Sequence, residues 1–293
     1  MKKQQPKPIR SAEAVAALRA ASTREPDLTV RNPDYLAHHF VGGVYKLILG
    51  LPKRMSRWLI ERITPGSYGY FLARTRFVDE HLLKAIAQGV RQVVVLGAGY
   101  DSRAARFESR LAGLRLFEVD LPSTQSHKRS LMRLQGIPEP GNVVYVPHDF
   151  NSRSLISALG EQGFDTNQPT AFIWEGVTYY LQESSVKDVL DSVVSQCARG
   201  SWLILDYSLR SFVNGDDTTY GGPTMQRWLK KNKEPFLFGL EAGELRRYLS
   251  PCRLAVTADL GPSEICRKYL TDRRGALVGQ PLGHLRLACA VLE

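Results

Sequence analysis

The stretch Val93-Val94-Val95-Leu96-Gly97-Ala98-Gly99-Tyr100-Asp101-Ser102-Arg103 decides the fold of this chain. Residues 92–96 form a continuous, mostly β-branched run, which is typical of a strand buried on both faces of a parallel sheet. The glycines that follow permit a tight turn and a close approach of the backbone to a ligand. Helix-like sequence begins at Ser102. The stretch therefore predicts a strand, a glycine turn and a helix, which is the opening unit of an α/β sheet.

The same alternation continues towards the carboxyl end of the chain. Strands are predicted at 114–119, 143–146, 171–174 and 202–205, and helices at 102–111, 123–134, 155–159 and 184–197. Strands that alternate with helices in this way favour a doubly wound parallel sheet. After a helix at 241–249, strands at 253–258 and 285–292 bring the predicted sheet to seven strands, mostly parallel.

Two regions precede the α/β core, which we place at 89–293, and a third interrupts it. Residues 1–10 are predicted to be a disordered tail, and residues 11–88 have helical patterning. Residues 209–240 interrupt the alternation with glycines, polar residues and two prolines, so they are predicted to be an insertion on the substrate side. We expect the helical region and the insertion to form a lid over the carboxyl edge of the sheet.

The composition of the chain indicates which partners and which compartment to expect. The chain has 293 residues and a formal net charge of +10, which indicates attraction to anions. No apolar run has the length of a membrane span and the basic start has no apolar core behind it, so a cytoplasmic protein without a membrane partner is expected. Its four cysteines show no metal-ligand spacing, and no metal is predicted. Nucleic-acid binding is unsupported because the basic residues form no tract.

The glycine turn and the next strand end suggest a ligand site. A dinucleotide fingerprint requires glycine or alanine where the chain has Ser102, and Asp101 disfavours a pyrophosphate there. A ligand that carries a positive ammonium group fits better. Asp120 ends the second predicted strand, 23 positions after Gly97, near the spacing of a carboxylate that holds a ribose diol. The alternative is that Asp120 only caps the following helix.

Other candidates follow the third and fourth strands. Asp149 and Phe150 come after the third strand and are candidates to contact an adenine. The alternative is that Asp149 caps the next helix, a role that Asn151 and Ser152 could serve equally well. Glu175 follows the fourth strand, where a buried carboxylate requires a partner. Tyr179 and Tyr180 lie just beyond it and are ordinary packing residues unless they orient a substrate. On sequence alone, Arg74 belongs to a solvated helix face.

Together these motifs resemble the leucine carboxyl methyltransferase family, in its bacterial branch of S-adenosylmethionine-dependent methyltransferases. The matching segments are 73–79, 94–103, 117–122 with Lys128, and 175–181. The resemblance implies a Rossmann-like class I methyltransferase fold with a helical N-terminal lid and S-adenosylmethionine as cofactor. It implies that Arg74 binds the cofactor carboxylate and that Gly97, Ala98 and Gly99, with Asp101, form the cofactor turn. Asp120 would then hold the ribose, Asp149 and Phe150 the adenine, and Glu175 the amino-acid end.

The expected function is O-methylation of a small, acidic molecule at a carboxylate. A carboxylate is already ionised at neutral pH and needs no general base, which agrees with the absence of a catalytic His or Lys motif. Tyr179, Tyr180 and Arg210 are the substrate-orienting candidates. The alternatives are methylation of a phenol or alcohol, with His38, His39 or His148 as base, and a non-catalytic cofactor-binding or nucleic-acid adaptor. A nicotinamide dehydrogenase is disfavoured by Ser102.

Overall fold

A computed structural model describes residues 10–150, 154–192 and 194–293 of the chain. The tail predicted at 1–10 therefore lies outside the described residues except for its last position, where the first helix begins. The seven strands are β1 (Gln92–Leu96), β2 (Arg115–Asp120), β3 (Val143–Pro147), β4 (Thr170–Trp174), β5 (Trp202–Ser208), β6 (Leu254–Leu260) and β7 (Leu285–Leu292). They form one sheet in the order β3-β2-β1-β4-β5-β7-β6.

Six of the strands share one direction, and β7 runs antiparallel between β5 and β6. The predicted seven-stranded, mostly parallel sheet is confirmed. The chain leaves β1 for β2 and β3 on one side and returns to β4 on the other. Ligands of open α/β sheets bind at the carboxyl ends of the strands where the order reverses in this way, here between β1 and β4.

The helices cover both faces of the sheet and precede it. Their bounds are α1 (Arg10–Ser22), α2 (Gly43–Gly50), α3 (Lys53–Ile63), α4 (Ser67–Ala87), α5 (Arg103–Arg106), α6 (Pro122–Leu134), α7 (Leu155–Glu161), α8 (Glu183–Ser192), α9 (Arg210–Val213), α10 (Gly222–Asn232), α11 (Leu245–Leu249) and α12 (Pro262–Ile265). None of the helices in the described ranges is both long enough and apolar enough to span a bilayer.

Alternation along β1 divides the core into two layers. Val93 and Val95 pack with residues of α4, such as Phe77, whereas Val94 and Leu96 pack on the opposite face of the sheet. This is the two-residue period expected of a strand that is covered on both sides. Of the helices in the region 11–88, α4 is part of a core layer. The helix that lies across the carboxyl edge of the sheet is α1, which packs against α4.

Three predicted helices are shorter than expected. The helix predicted at 102–111 ends at Arg106, because residues 108–110 are all exposed and offer no apolar face to bury. The helix predicted at 241–249 starts only at Leu245, after Gly243 with a φ of 88°. The helix predicted at 184–197 ends at Ser192, and a 3₁₀ turn spans Val194–Gln196.

Candidate active site

The turn after β1 requires glycine for two separate reasons. Gly97 has a φ of 70° and Gly99 a φ of 46°, which is the left-handed region that side chains disfavour. A Cβ at Gly97 would lie 2.4 Å from Cγ2 of Val177. The turn is also held to β2, since the amides of Gly97 and Ala98 both donate to the carbonyl oxygen of Val119. The glycines therefore bring the backbone close to the segment that follows β4.

Asp120 connects this turn to the end of β2. Its Oδ2 accepts a hydrogen bond of 2.6 Å from the amide of Gly99, and its Oδ1 accepts one of 2.7 Å from the amide of Leu121. Burial raises the pKa of this carboxyl above its usual value, and the two amides oppose that effect. The side chain borders a cavity at the carboxyl edge of the sheet. Asp120 therefore fixes the glycine turn and also faces the space above it.

Arg74 projects from α4 into a buried cluster of carboxylates. Its Nε lies 3.0 Å from Oε1 of Glu175, and its Nη1 lies 2.9 Å from Oδ2 of Asp206, at the end of β5. Asp206 also accepts hydrogen bonds from the hydroxyl of Tyr70 and the amide of Gly176. No acceptor in the described part of the chain meets Nη2 of Arg74. Asp206 thus orients the guanidinium and leaves one edge of it available to a ligand.

Glu175 is held by two arginines. Its Oε2 lies 2.9 Å from Nη1 of Arg103, yet no donor among the described residues is aligned to form a hydrogen bond with that oxygen. Burial alone would raise the pKa of Glu175, but Arg103 and Arg74 outweigh it, and the pKa lies below its usual value. The carboxylate is therefore ionised at neutral pH and can accept a hydrogen bond from a cationic ligand.

Arg103 balances the charge beneath the glycine turn. It forms ion pairs with Asp79, 2.7 Å away, with Asp101 and with Glu175. Burial raises the pKa of Asp101, but the adjacent Arg103 dominates and holds it at about 2. The prediction that Asp101 lies beside the site agrees with its position in the cavity wall. Its charge is largely balanced by Arg103.

These groups surround a cavity of about 440 Å³, within the usual size range of small-molecule sites. Its charged part contains Arg74, Asp101, Asp120, Asp149 and Glu175. Its apolar part is formed by α1, α4, α10 and the loops after β4 and α10, with Phe71, Tyr179, Tyr180, Met225, Trp228 and Phe236 among the lining residues. One end is thus suited to a zwitterionic, hydroxylated ligand and the other to an apolar group.

The structure brings together nearly all of the residues singled out from sequence. Gly97, Ala98, Gly99, Asp101 and Asp120 line the cavity. So do Arg74, Asp149, Phe150, Glu175, Tyr179 and Tyr180. Arg210 is not brought to it. Its half-exposed guanidinium pairs with Glu244 at 2.7 Å, because α9 turns it outward beyond the edge of β5.

Among the candidate bases, only His148 borders the cavity. His38 and His39 lie in a 3₁₀ turn at Ala37–Phe40, where their rings contact the carbonyl of Tyr35 and the side chain of Gln135, away from the cavity. Across the described ranges, no group of three His, Cys, Asp or Glu side chains is arranged to hold a metal ion.

Sequence reasoning missed Asp206, Arg103 and Arg19. Asp206 carries the same signal as Asp120 and Glu175, a carboxylate at the end of an apolar strand, and could have been found by that rule. Arg19 in α1 donates to the carbonyl of Tyr100 at 2.8 Å and pairs with Asp34 at 3.0 Å. No local pattern marks it, because both of its partners are distant in sequence.

Comparison with known proteins agrees with this geometry. The sequence profile described as leucine carboxyl methyltransferase matches residues 12–194. A protein of Frankia alni, provisionally named an S-adenosyl-L-methionine-dependent methyltransferase, is 34% identical over 231 residues, 76% of this chain and 77% of that protein. A protein of Streptomyces coelicolor with the same provisional name is 35% identical over 203 residues, 69% of this chain and 70% of its own length.

Solved structures share the fold at low sequence identity. A DUF574-family protein from Streptomyces avermitilis superimposes with a TM-score of 0.62 at 13% identity, covering 96% of this chain and 97% of its own. A provisionally assigned methyltransferase from Thermobifida fusca gives a TM-score of 0.59 at 14% identity over the full length of both chains. At this identity the likeness concerns the fold alone, whereas the sequence matches reach the family. The chain therefore belongs to the leucine carboxyl methyltransferase family and is an S-adenosylmethionine-dependent methyltransferase.

Proposed function

We propose that this enzyme methylates a carboxylate oxygen of a small molecule and releases a methyl ester. The observation that carries the proposal is that Glu175, Tyr179 and Tyr180, which line the cavity, are not in a state to take a proton from an acceptor at neutral pH. Glu175 is paired with two arginines, and burial holds the pKa of both Tyr179 and Tyr180 well above its usual value. An acceptor that arrives already ionised fits such a site, and a carboxylate is ionised at pH 7.

The charged end of the cavity is suited to hold the cofactor. The Nη2 edge of Arg74 would hold its carboxylate, and the carboxylate of Glu175, which lines the cavity, would face its ammonium group. Asp120 would accept the ribose hydroxyls, and the glycine turn would lie against the amino-acid portion. Asp149 and Phe150, which border the cavity just after β3, would contact the adenine. When bound, the cofactor supplies a methyl group on a positively charged sulfur.

The apolar end is suited to position the acceptor. Tyr179 and Tyr180 pack together with Phe236, which has its ring centroid 4.3 Å from that of Tyr179. The hydroxyl of Tyr179 is 3.4 Å from Nη1 of Arg74, so it is the polar group that faces both ends of the cavity. Apolar walls exclude water from an ionised oxygen and thereby increase its reactivity towards a methyl group. An acceptor carboxylate that arrives ionised would need no residue of the cavity to remove a proton from it before methyl transfer.

The pH dependence of turnover tests whether the methyl acceptor is a carboxylate or a phenol. With a carboxylate acceptor, kcat/KM should be flat between pH 6 and 9, as its pKa is about 4. A phenolic acceptor should instead give a tenfold rise per pH unit below its pKa of about 10. His148→Ala separates the alternatives, because it should leave carboxylate methylation nearly unchanged. A profile of kcat/KM that rises with pH, or a large loss of turnover in His148→Ala, would overturn the proposal.

Titration calorimetry tests the cofactor site. Asp120→Asn should weaken S-adenosylmethionine binding about 10- to 100-fold, the usual effect of losing a charge-assisted hydrogen bond. The control is Asp259→Asn, which alters a paired carboxylate of β6 outside the cavity. Equal affinity in the two variants, both folded, would remove Asp120 from the cofactor site.

A further inference from the structure

Helices α2 and α3 turn apolar side chains to solvent. Leu47 is 74% exposed, Val44 and Trp58 are each 62% exposed, and Met55 is 46% exposed. In α2 no residue at all is buried, although the sequence of this helix is mostly apolar. The two helices are consecutive, pack against each other and are linked only through Leu51 and Pro52. A cluster of large exposed apolar side chains on adjacent elements marks an interaction site.

The exposed charged residues of α2 and α3 are all basic. Lys46, Arg54 and Arg62 are exposed and form no ion pair within the described part of the chain. Lys53 and Arg57 share a single buried carboxylate, Glu25, at 2.6 and 3.5 Å. The α2–α3 surface, meaning the exposed residues of Gly43–Gly50 and Lys53–Ile63, therefore combines leucine, methionine and tryptophan with unpaired cations. This is the composition of helices that lie in the interface of an anionic bilayer.

The surface also adjoins the cavity. Ile63, at the end of α3, is 53% exposed, and the next two residues, Thr64 and Pro65, line the cavity wall. An apolar molecule that leaves a bilayer at this surface would thus meet the apolar end of the site within two residues of α3. Tryptophan at such a surface is expected, since its ring favours the headgroup level of a membrane.

Charge argues against two other occupants. In a symmetric pair of chains this surface would face its own copy, so Lys46 and Arg54 would approach like charges and repel. Residues 1–9 contain three lysines and no acidic residue, so they would not neutralise a cationic surface either. An anionic bilayer satisfies both the apolar and the basic parts.

We infer that the α2–α3 surface binds the surface of an anionic lipid bilayer, with Leu47 and Trp58 inserted below the headgroups and the basic residues at the phosphates. This goes beyond the proposed methyl transfer and does not depend on the identity of the acceptor. It concerns peripheral attachment, which the absence of a spanning helix among the described residues does not address. It revises the expectation, drawn from sequence, that the protein has no membrane partner.

Tryptophan fluorescence and vesicle sedimentation test the inference on the full chain. Vesicles of phosphatidylcholine and phosphatidylglycerol should sediment the protein and shift its emission to shorter wavelength, whereas phosphatidylcholine alone should not. Trp58 should dominate the shift, because Trp174 and Trp202 are buried and Trp228 is half-buried. Trp58→Phe should therefore remove most of the shift but preserve most of the sedimentation.

Substitutions locate the contact. Leu47→Glu should reduce sedimentation at least tenfold, and high salt should do the same, since the attraction to anionic lipid is screened. The matched control is Leu134→Glu, which places the same charge on an equally exposed leucine of α6, 77% exposed, and should bind as the unaltered chain does. Equal loss in both variants, or no binding to anionic vesicles, would overturn the inference. So would a concentration-dependent dimer that Leu47→Glu dissociates in the absence of vesicles.

Discussion

Arg103 lies under the glycine turn with its side chain 1% exposed and three carboxylates around it. A buried ion cluster of this kind is a weak source of stability, but the loss of Arg103 would leave Asp101 without its arginine in a medium that solvates charge poorly. Asp79 and Glu175 would each keep one arginine, Arg106 and Arg74. Because Glu175 belongs to the cluster, Arg103 also determines how much negative charge faces the cavity. It is a positioning residue for the proposed ammonium site.

We expect Arg103→Met to lower the free energy of unfolding by about 3–5 kcal/mol, the usual cost of breaking a buried ion pair. Urea unfolding at pH 7 measures it. The control is Arg247→Met, which removes an 86% exposed guanidinium paired at 3.6 Å and should change stability by no more than about 0.5 kcal/mol. Similar losses in the two variants would show that the buried cluster has no special role.

His284 is fully buried and electrically neutral. Its ring stacks on Phe212, with centroids 3.7 Å apart, and its Nδ1 is 3.4 Å from the hydroxyl of Thr219. Nε2 has no partner among the described residues. Burial lowers the pKa of this imidazole to about 3. In the folded chain His284 therefore stays neutral down to a pH of about 3, whereas in the unfolded chain it is protonated below a pH of about 6.5.

This difference makes stability depend on pH. The contribution of His284 is complete above pH 6.5 and decreases as the pH falls towards 3, because the unfolded state then binds the additional proton. At pH 5 the loss attributable to His284 should be about 2 kcal/mol relative to pH 8. Urea unfolding of the unaltered chain and of His284→Gln at both pH values measures it. If the two chains lose stability equally between pH 8 and 5, the histidine is not responsible.

Among the elements, α1 has the clearest relation to the cavity. It contributes Ala14, Val15 and Leu18 to the cavity wall and is anchored at Arg19, near its carboxyl end. From the other side, Thr224, Met225 and Trp228 of α10 complete the wall. The lid predicted from residues 11–88 and 209–240 thus stays a prediction, with α1 and α10 as the elements that would carry it.

Hydrogen exchange tests the lid. Bound S-adenosylmethionine, or its demethylated product, should slow exchange of the amides in α1 and α10 about tenfold, because opening of these helices would then require loss of the ligand. Strand β6 lies at the edge of the sheet, outside the cavity wall, and serves as the internal reference. Protection confined to the glycine turn would show that neither helix closes over the ligand.

The sequence was most informative about strands and least about short helices. Mostly apolar runs located all seven strands within a few residues, and the β-branched run of β1, buried at every position, gave the clearest pattern. The length of the helix after Ser102 was overestimated. The helix is a single turn, and a single turn needs no amphipathic stripe. The unpaired apolar face of α2 was also not predicted. Whether a helix is exposed depends on which elements, distant in sequence, pack against it. The sequence pattern of an apolar helix is the same whether that helix is covered or exposed.

At the scale of the whole molecule, the site is assembled from strand ends far apart in sequence. The rule that ligands gather at the carboxyl edge of a parallel sheet identified Asp120 and Glu175 without any structure. The same rule misplaced Arg210, because α9 redirects the chain immediately after β5. The partnership of Arg74 with Asp206 was not predictable, as it joins a helix before the sheet to a strand 132 positions later.

The position of α1 has a kinetic consequence. If the predicted lid closes over the ligand, α1, which places Ala14, Val15 and Leu18 in the cavity wall, would have to move before spent cofactor could leave past it. The contacts of Arg19 tie its last turn to the turn after β1, so the free end would swing about that anchor. Each catalytic cycle would then contain one opening and one closing of α1. However fast methyl transfer became, the frequency of this motion would then set the ceiling on turnover.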